Sequence, residues 1–304
     1  MRCGFGIAIS MVGIVVFLAS APAQAQALDR EQIETVTGLK GSYSQEERVF
    51  KVSRPRTDLK VSVEGWWMPP YMGLTSWAAF TPAQDGRVMV MGDLVLLEDE
   101  VNAVMSAALE SGLEVTALHN HFFFDQPKVY FMHIGGMGDT DTLAAGVRDA
   151  LRTVDRIRAA SPRPAPSFGP PDIPTTNSIA AEPLDRILRV KRQASQGMYK
   201  TVFGREATMH DGTRVAKEMG VNTWTAFAGS DETAVVDGDF AVLENELQPV
   251  LKSLRGHGIN IVAIHHHMTH ESPRLLFLHY WGKGKAADLA GAVKATLAVQ
   301  AGVH

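Results

Sequence analysis

The chain has 304 residues with 29 basic and 33 acidic side chains, and its net charge of −4 provides no basic footprint for nucleic acid. Its single cysteine, Cys3, excludes an intrachain disulfide and a multi-thiolate metal site. The length is sufficient for two domains with ordinary hydrophobic cores.

Residues 1–27 are predicted to be a secretory signal peptide. Arg2 precedes an apolar run at 6–20, and 21–27 (APAQAQA) has the small-residue spacing of a cleavage site. A membrane anchor is the alternative, but the run is short for a span of roughly 20 residues. Cleavage removes Arg2 and no acid, leaving 28 basic and 33 acidic side chains, and no later segment is apolar enough to cross a bilayer. We therefore expect an exported protein, periplasmic or secreted.

Residues 28–158 are predicted to form a first module. The elements expected from hydrophobic periodicity are, in chain order, strands at 48–53, 60–66, 75–81 and 87–96, a helix over 98–112, strands at 113–123 and 128–135, and a second helix containing 143–154. The core order β-β-α-β-β-α favours an α+β fold, a largely antiparallel sheet with helices packed on one face.

A proline-rich linker at 159–183 is predicted to separate this module from a second one at 184–304. The linker holds seven of the 15 prolines, which favours a semi-rigid spacer over a packed element. The second module repeats the first at an offset of 146 or 147 residues. The repeated positions include Trp77 and Trp224, Gly92-Asp93 and Gly238-Asp239, and Glu98-x-Glu100 and Glu244-x-Glu246.

The most informative repeat is H-x-H-x11-H, because imidazole is the commonest metal ligand and proton carrier near neutral pH. It occurs twice at an offset of 146, as His119, His121 and His133 and again as His265, His267 and His279. Side chains alternate along a strand, so the first two histidines of each set share a face. A hairpin centred on Gln126 would place His119 opposite His133, and its equivalent would place His265 opposite His279.

Three imidazoles on one face predict a site for zinc or another transition metal in each module. Surface or hydrogen-bonded structural histidines are the alternative. Asp125 and Glu271 occupy equivalent turn positions and are candidates for a fourth ligand or a general base, although turn formation is the favoured interpretation of both. Glu100 and Glu246 are weaker candidates, because a carboxylate in the first turn of a helix is favoured by the helix dipole alone. No catalytic residue can be assigned.

Two functions follow from these patterns. The first is metal binding, with metal-assisted hydrolysis of a cell-envelope component as the reaction it would suit. The second is a non-catalytic module that binds envelope glycan through the aromatic cluster Trp66, Trp67, Tyr71 and Trp77, with structural histidines. Core packing is the favoured interpretation of the cluster, particularly of Trp77, whose counterpart Trp224 is kept.

The repeated block W-x-A-F … G-D … E-x-E … H-x-H-x11-H resembles the bacterial family named after the mycobacterial lipoproteins LppY and LpqO. The resemblance covers nearly the whole chain after the signal segment, as two tandem copies. It implies export and a duplicated domain, and it assigns no reaction. The chain departs from a lipoprotein in that Cys3 lies before the apolar run, where lipidation at the cleavage point would need a cysteine after it.

Overall fold

The computed structural model describes Met1 and residues 28–300, with the exception of Asp85 and Lys191. The signal-peptide prediction at 1–27 therefore lies almost entirely outside the described residues. Among the residues described, no helix is both long and apolar enough to span a lipid bilayer.

The first module contains helices α1–α3 and strands β1–β9. In chain order they are α1 (Arg30–Thr37), β1 (Gly41–Ser44), β2 (Val49–Pro55), β3 (Ser62–Val63), β4 (Trp66–Trp67), β5 (Thr75–Pro82), β6 (Val88–Leu97), α2 (Glu98–Glu110), β7 (Glu114–His119), β8 (Asp125–Gln126), β9 (Val129–Gly138) and α3 (Thr140–Ala160). A short 3₁₀ helix, Pro70–Met72, precedes β5.

The second module repeats this order with helices α4–α6 and strands β10–β18. They are α4 (Ala181–Leu188), β10 (Arg192–Ser195), β11 (Met198–Gly204), β12 (Ala207–Met209), β13 (Arg214–Val215), β14 (Asn222–Gly229), β15 (Ala234–Leu243), α5 (Leu247–Gly256), β16 (Asn260–His265), β17 (Glu271–Ser272), β18 (Leu275–Gly284) and α6 (Ala286–Leu297). Two 3₁₀ helices, Lys217–Met219 and Glu244–Glu246, lie before β14 and α5.

The two modules share one antiparallel sheet of 12 strands, in the order β1-β2-β5-β6-β9-β7-β16-β18-β15-β14-β11-β10. The modules meet where β7 lies antiparallel to β16, with Leu118 opposite Ile264. All six helices contribute to one hydrophobic core on one side of this sheet, so the predicted α+β arrangement with helices on one face is confirmed. The other side of the sheet, called the open face below, faces away from the helices.

Matched hydrogen bonds link the modules beside this junction. The Asn102 side-chain amide accepts from the N–H of Ile261 (2.7 Å) and donates to its carbonyl (3.1 Å). At the equivalent position, the Gln248 amide accepts from the N–H of Val115 (3.0 Å) and donates to its carbonyl (2.9 Å). Val115 and Ile261 each adjoin a β-bulge, where the ladder leaves backbone groups without a strand partner. Each module therefore supplies the hydrogen bonds that the backbone of the other module's bulged strand lacks.

Two small sheets cover part of the open face. The strands β4-β3-β8 form one, and the strands β13-β12-β17 form the other. Each encloses a small apolar cluster, one around Phe131 and one around Phe277. The histidines lie beside these clusters.

The segment between α3 and α4 is held against the second module. The Asn177 side chain accepts a hydrogen bond from the N–H of Gly229 (2.9 Å), and the N–H of Ala180 donates to the Asp231 carboxylate (2.8 Å). Its backbone also pairs through an isolated bridge of Ser178 with Ser230.

Candidate functional site

A row of side chains crosses three neighbouring strands on the open face of each module. In the first module Asp93 on β6 lies opposite Trp77 on β5 and opposite His133 on β9. In the second, Asp239 on β15 lies opposite Trp224 on β14 and His279 on β18 in the same way. Directly opposed residues share a face, so each row brings an indole, a carboxylate and an imidazole together.

The register of the histidine hairpin differs from the prediction. His119 lies opposite Phe131, not His133, and the residue opposite His133 is Ala117. Likewise His265 lies opposite Phe277, and Ala263 lies opposite His279. The predicted pairs are therefore wrong by two residues.

The physical reason is the connection between the strands. β7 ends at His119, and the chain leaves the main sheet to form β8, which pairs with β3 before the cis Gln126-Pro127 bond returns it to β9. Gln126 is therefore not the tip of a tight hairpin. Because the shift is an even number of residues, His119 and His133 still share the open face. His121 lies beyond the end of β7, with its ring stacked on Phe131 at 3.3 Å between centroids.

The most closely packed potential ligands are in the second module. One ligand atom from each of Asp239, His265 and His267 lies within 4.8 Å of the others, and no other such group occurs in the described part of the chain. The Nε2 of His267 is 3.2 Å from one Asp239 oxygen, and the Nε2 of His265 is 3.8 Å from the other. Donor atoms around a tetrahedral zinc with bonds near 2.0–2.1 Å are about 3.4 Å apart, so these distances match shared coordination.

A hydrogen bond orients the His267 imidazole toward the carboxylate. The Nδ1 of His267 lies 3.1 Å from the Gly220 carbonyl, which can only accept, so Nδ1 carries the proton. In the neutral ring Nε2 then holds a lone pair, and that lone pair faces the Asp239 carboxylate. Two acceptors this close need a cation between them, either a proton or a metal ion. A histidine that donates to a backbone carbonyl while its other nitrogen binds metal is the usual arrangement at metal sites.

Asp239 is only 1% exposed, and its Oδ1 and the Nε2 of His265 are buried without a hydrogen-bond partner. Buried polar atoms are normally satisfied, so an unsatisfied pair 3.8 Å apart needs a reason. Burial raises the pKa of the Asp239 carboxyl, while His279 and the other two imidazoles lower it. Burial lowers the pKa of His265, which Asp239 opposes. A neutral imidazole is the form that binds metal.

His279 is adjacent to the group but outside it. Its ring stacks on that of His265 with centroids 4.7 Å apart, and its Nδ1 lies 3.2 Å from the Gly238 carbonyl. The three-histidine set predicted for the second module thus becomes two histidines and a carboxylate with a third histidine alongside.

The first module holds the same residue types in a looser arrangement. The ring of His119 lies 5.2 Å from that of His121 and 5.1 Å from that of His133, measured between centroids. Asp93 is buried with its Oδ1 unsatisfied. Burial and then the neighbouring His119 lower the pKa of His121, while Asp93 raises it.

In the structure, both turn carboxylates accept hydrogen bonds from backbone N–H groups. The Asp125 carboxylate accepts from the N–H of Val129 at 2.7 Å, and the Glu271 carboxylate accepts from the N–H of Leu275 at 3.1 Å. Both side chains are buried beside the cis-proline bonds, and neither belongs to the close group of ligands around Asp239.

Glu100 and Glu246 are each paired with a buried arginine. Glu100 accepts two hydrogen bonds from Arg56, at 2.8 and 2.9 Å, and one from the N–H of Leu97. Glu246 forms the same bidentate pair with Arg205. These contacts give both glutamates a structural role at the start of α2 and α5.

The aromatic cluster divides into exposed and covered residues. Trp66, Trp67 and Tyr71 are exposed on β4 and the 3₁₀ helix that follows it. Trp77 is half-buried on the open face beneath the ammonium of Lys51, which lies 4.2 Å from the ring centroid. Trp77 is thus separate from the exposed aromatics.

Asp93 and Asp239 are the site residues that sequence reasoning missed. The repeated Gly-Asp pair was visible at the 146-residue offset. Only the strand order places each aspartate opposite a histidine, and no local pattern contains that order.

Comparison with known families identifies the modules. A family model described as "Domain of Unknown Function (DUF1259)" matches residues 31–153 and again 182–299. The chain belongs to this family and contains two copies of its domain. No curated protein matches the chain. A solved structure described as a trimeric bacterial microcompartment shell protein, PduB, aligns over 85% of this chain and 89% of its own, with 12% identity and a TM-score of 0.22. That likeness is too distant to indicate fold or function.

Proposed function

We propose that the chain binds a divalent transition-metal ion through Asp239, His265 and His267. The observation that carries the proposal is the buried Asp239 carboxylate facing the Nε2 lone pair of His267, with the unsatisfied Nε2 of His265 beside it. A bound cation would satisfy all three groups at once. The second-module site therefore fits a metal ion on its own chemistry.

Two imidazoles and one carboxylate define the class of ion. This donor set is found in catalytic zinc sites with an open position and in non-haem iron(II) sites. Zinc and iron(II) are therefore the first ions to test. The proposal extends to Asp93, His119, His121 and His133 as a second and weaker site, because the first module holds the same residues less closely.

The reaction we propose is metal-assisted hydrolysis of a cell-envelope component. A metal ion at such a site supplies Lewis-acid activation of a water molecule. Export through the signal peptide expected at 1–27 would bring the site to such a substrate. We also propose that the chain is related to the family named after LppY and LpqO, since the two matched family segments contain every residue that carries this resemblance.

Metal analysis tests the binding step. The full chain, purified without an affinity tag, is expected to retain or take up about one equivalent of zinc or iron(II) tightly, measured by elemental analysis after gel filtration. Asp239→Asn and His267→Ala should each lose that equivalent, while His257→Ala, at an exposed histidine after α5, should keep it. A wild-type chain that carries no metal and gains none on reconstitution contradicts the proposal.

A second candidate function is glycan binding by the exposed aromatics. Trp66, Trp67 and Tyr71 are all more than half exposed, and planar aromatic faces of this kind can stack on sugar rings. The paired substitution of Trp66 and Trp67 by Ala should then abolish binding to purified peptidoglycan, and chelator should leave it unchanged. Phe168→Ala, at an exposed aromatic in the linker, is the control. Equal binding by the paired variant and the wild type rejects this function.

A further inference from the structure

Three methionines lie together on the open face of the first module. Met89 and Met91 alternate on β6 with Val88 and Val90, which point into the main core, so both methionines point the other way. Met137 on β9 lies directly opposite Met89. Their exposed fractions are 37%, 55% and 47% for Met89, Met91 and Met137.

The backbone brings the three thioethers within reach of one ion. The Cβ atoms of directly opposed residues are about 4.5–5.5 Å apart, and residues two apart on a strand are separated by about 6.7 Å. Gly135 lies opposite Met91, and a Cβ at Gly135 would approach no atom closer than 3.7 Å. Gly135 therefore contributes no side chain to the space beside Met91. Methionine has an unbranched, flexible side chain, so its sulfur can turn into that space.

The second module shows that the sheet does not need these methionines. Their equivalents at the 146-residue offset are Val235, Asp237 and Lys283, on strands with the same register. Methionine is among the residues most often buried, so three exposed on adjacent positions of one sheet face need an explanation other than packing. Their restriction to one copy of the repeat points to a property of the first module.

We propose that Met89, Met91 and Met137 form a binding site for a soft monovalent cation, copper(I). Thioether sulfur is a soft donor that selects copper(I) over harder divalent ions. The three side chains are themselves uncharged; charged residues occupy neighbouring positions of this face, with Asp93 two residues after Met91 and Glu114 opposite Gly135. The inference is independent of the zinc or iron(II) site around Asp239, since it uses different residues and a different class of ion.

The site also leads toward the first-module histidines. Asp93 follows Met91 by two residues on the same strand and face, and His133 lies opposite Asp93. The methionine site therefore adjoins the looser Asp93 and histidine cluster on neighbouring positions of β6 and β9.

Copper(I) competition tests the inference. The full chain, purified without a tag and kept under anaerobic conditions with ascorbate, is titrated with copper(I) against a chromogenic copper(I) chelator. The Met89→Leu/Met91→Leu/Met137→Leu variant keeps the side chains apolar and of similar volume. Loss of outer-shell partners alone typically costs about 10–100-fold in metal affinity, so we expect removal of all three ligands to cost at least that much for one equivalent of copper(I). Met219→Leu, at an exposed methionine of the second module, should bind as the wild type does.

A second readout does not depend on competition. Silver(I) serves as a redox-inert substitute for copper(I), and the methyl signals of 13C-labelled methionine are followed by NMR. We expect the three signals that vanish in the triple variant to shift on silver addition. Unchanged signals, or a triple variant with wild-type copper(I) affinity, would overturn the inference. Loss of copper(I) binding in His119→Ala with the triple variant unaffected would assign the ion to the histidines and overturn it too.

The two metal proposals fail separately. Asp239→Asn should remove zinc or iron(II) and leave copper(I) binding intact, whereas the triple methionine variant should do the reverse. Circular dichroism and the thermal midpoint establish that each variant is folded before its metal binding is measured.

Discussion

Asp239→Asn distinguishes a metal ligand from a structural ion pair. The substitution keeps the size and shape of a side chain that is almost fully buried, and it removes only the charge. The Asp239 carboxylate lies 3.2 Å from the Nε2 of His267, so a charged imidazole there would form an ion pair with it, in which the Asp239 side chain is buried and the His267 side chain is 32% exposed. The two roles predict opposite effects on the metal-free protein.

The structural role predicts a large loss of stability. Breaking a fully buried ion pair by removing one partner costs about 3–5 kcal/mol, and the solvent exposure of His267 makes this an upper range for the Asp239 pair. At about 2–4 °C per kcal/mol for a chain of 150–250 residues, that cost would lower the thermal midpoint by roughly 6–20 °C. The larger size of this chain places the expected shift toward the lower end.

The metal-binding role predicts no such loss. Burial raises the pKa of the Asp239 carboxyl, so its contribution to stability is present at low pH and is lost as the pH rises through the folded-state pKa. At neutral pH the ionised carboxylate therefore opposes folding until a cation binds. We expect the midpoint of Asp239→Asn in chelator to equal or exceed that of the wild type.

Zinc should then stabilise only the wild type. At a free concentration of about 100 times Kd, binding to the folded state contributes about 2.7 kcal/mol, which raises the midpoint by roughly 5–11 °C. Differential scanning calorimetry with chelator and with zinc, at fixed pH and protein concentration, measures both effects. Asp237→Asn, two residues earlier on the same strand and outside the ligand group, is the matched control. A destabilised Asp239→Asn protein that keeps the full zinc shift refutes the reasoning.

Three further substitutions test the framework around the site. Glu100→Gln removes the charge that pairs with Arg56, so we expect the free energy of unfolding in urea to fall by about 3–5 kcal/mol with unchanged metal content. A fall of less than about 1 kcal/mol would contradict a structural role. Asn102→Leu leaves two buried backbone groups of β16 unsatisfied, at about 1–3 kcal/mol each, and an unchanged urea midpoint would show that the modules do not depend on this contact. Gly238→Ala would place a Cβ 2.2 Å from the hydroxyl oxygen of Tyr280 and 2.4 Å from the carbonyl oxygen of Trp224, so we expect at least about 1–3 kcal/mol of destabilisation by calorimetry. A stable variant would mean that both the tyrosine and the backbone of β14 move aside.

The face occupied by the histidines was predictable, and their register was not. Alternation along a strand has a period of two, so any register that keeps His119 and His133 on the open face differs from the true one by an even number of residues. The register itself depends on how long the connection is. The residues after His119 form β8 against β3, an element from a distant part of the chain, and local turn signals do not contain that pairing.

The carboxylate of the site depends on strand order. Asp239 precedes His265 by 26 residues and has no helical or strand spacing relative to it. It becomes a neighbour because β15 and β16 both pair with β18. The Gly-Asp pair is kept in both copies of the repeat, but that repetition does not say which atoms the aspartate side chain faces.

The continuous sheet was the least predictable feature. Periodicity indicates which residues face a core, and it does not indicate that the edge strand of one module pairs with the edge strand of the other. The contact that favours this pairing is chemical, since Asn102 and Gln248 occupy equivalent positions with different residues. Both offer a primary amide, whose donor and acceptor stand on separate atoms and can pair with the carbonyl and the N–H of the same residue.

The two modules keep the same aspartate and histidines but differ at the neighbouring positions of the same strands, and that difference carries chemical information. On β6 and β9 the successive opposed pairs are Met89 with Met137, Met91 with Gly135, and Asp93 with His133; on β15 and β18 they are Val235 with Lys283, Asp237 with Trp281, and Asp239 with His279. Both ladders have the same register, so backbone geometry does not account for the change from thioethers to a carboxylate and an indole. Ligand softness determines which ion a site selects. Under the two proposals, a duplication that retains the histidines while replacing their neighbours keeps one scaffold and separates the two copies by the ion each binds.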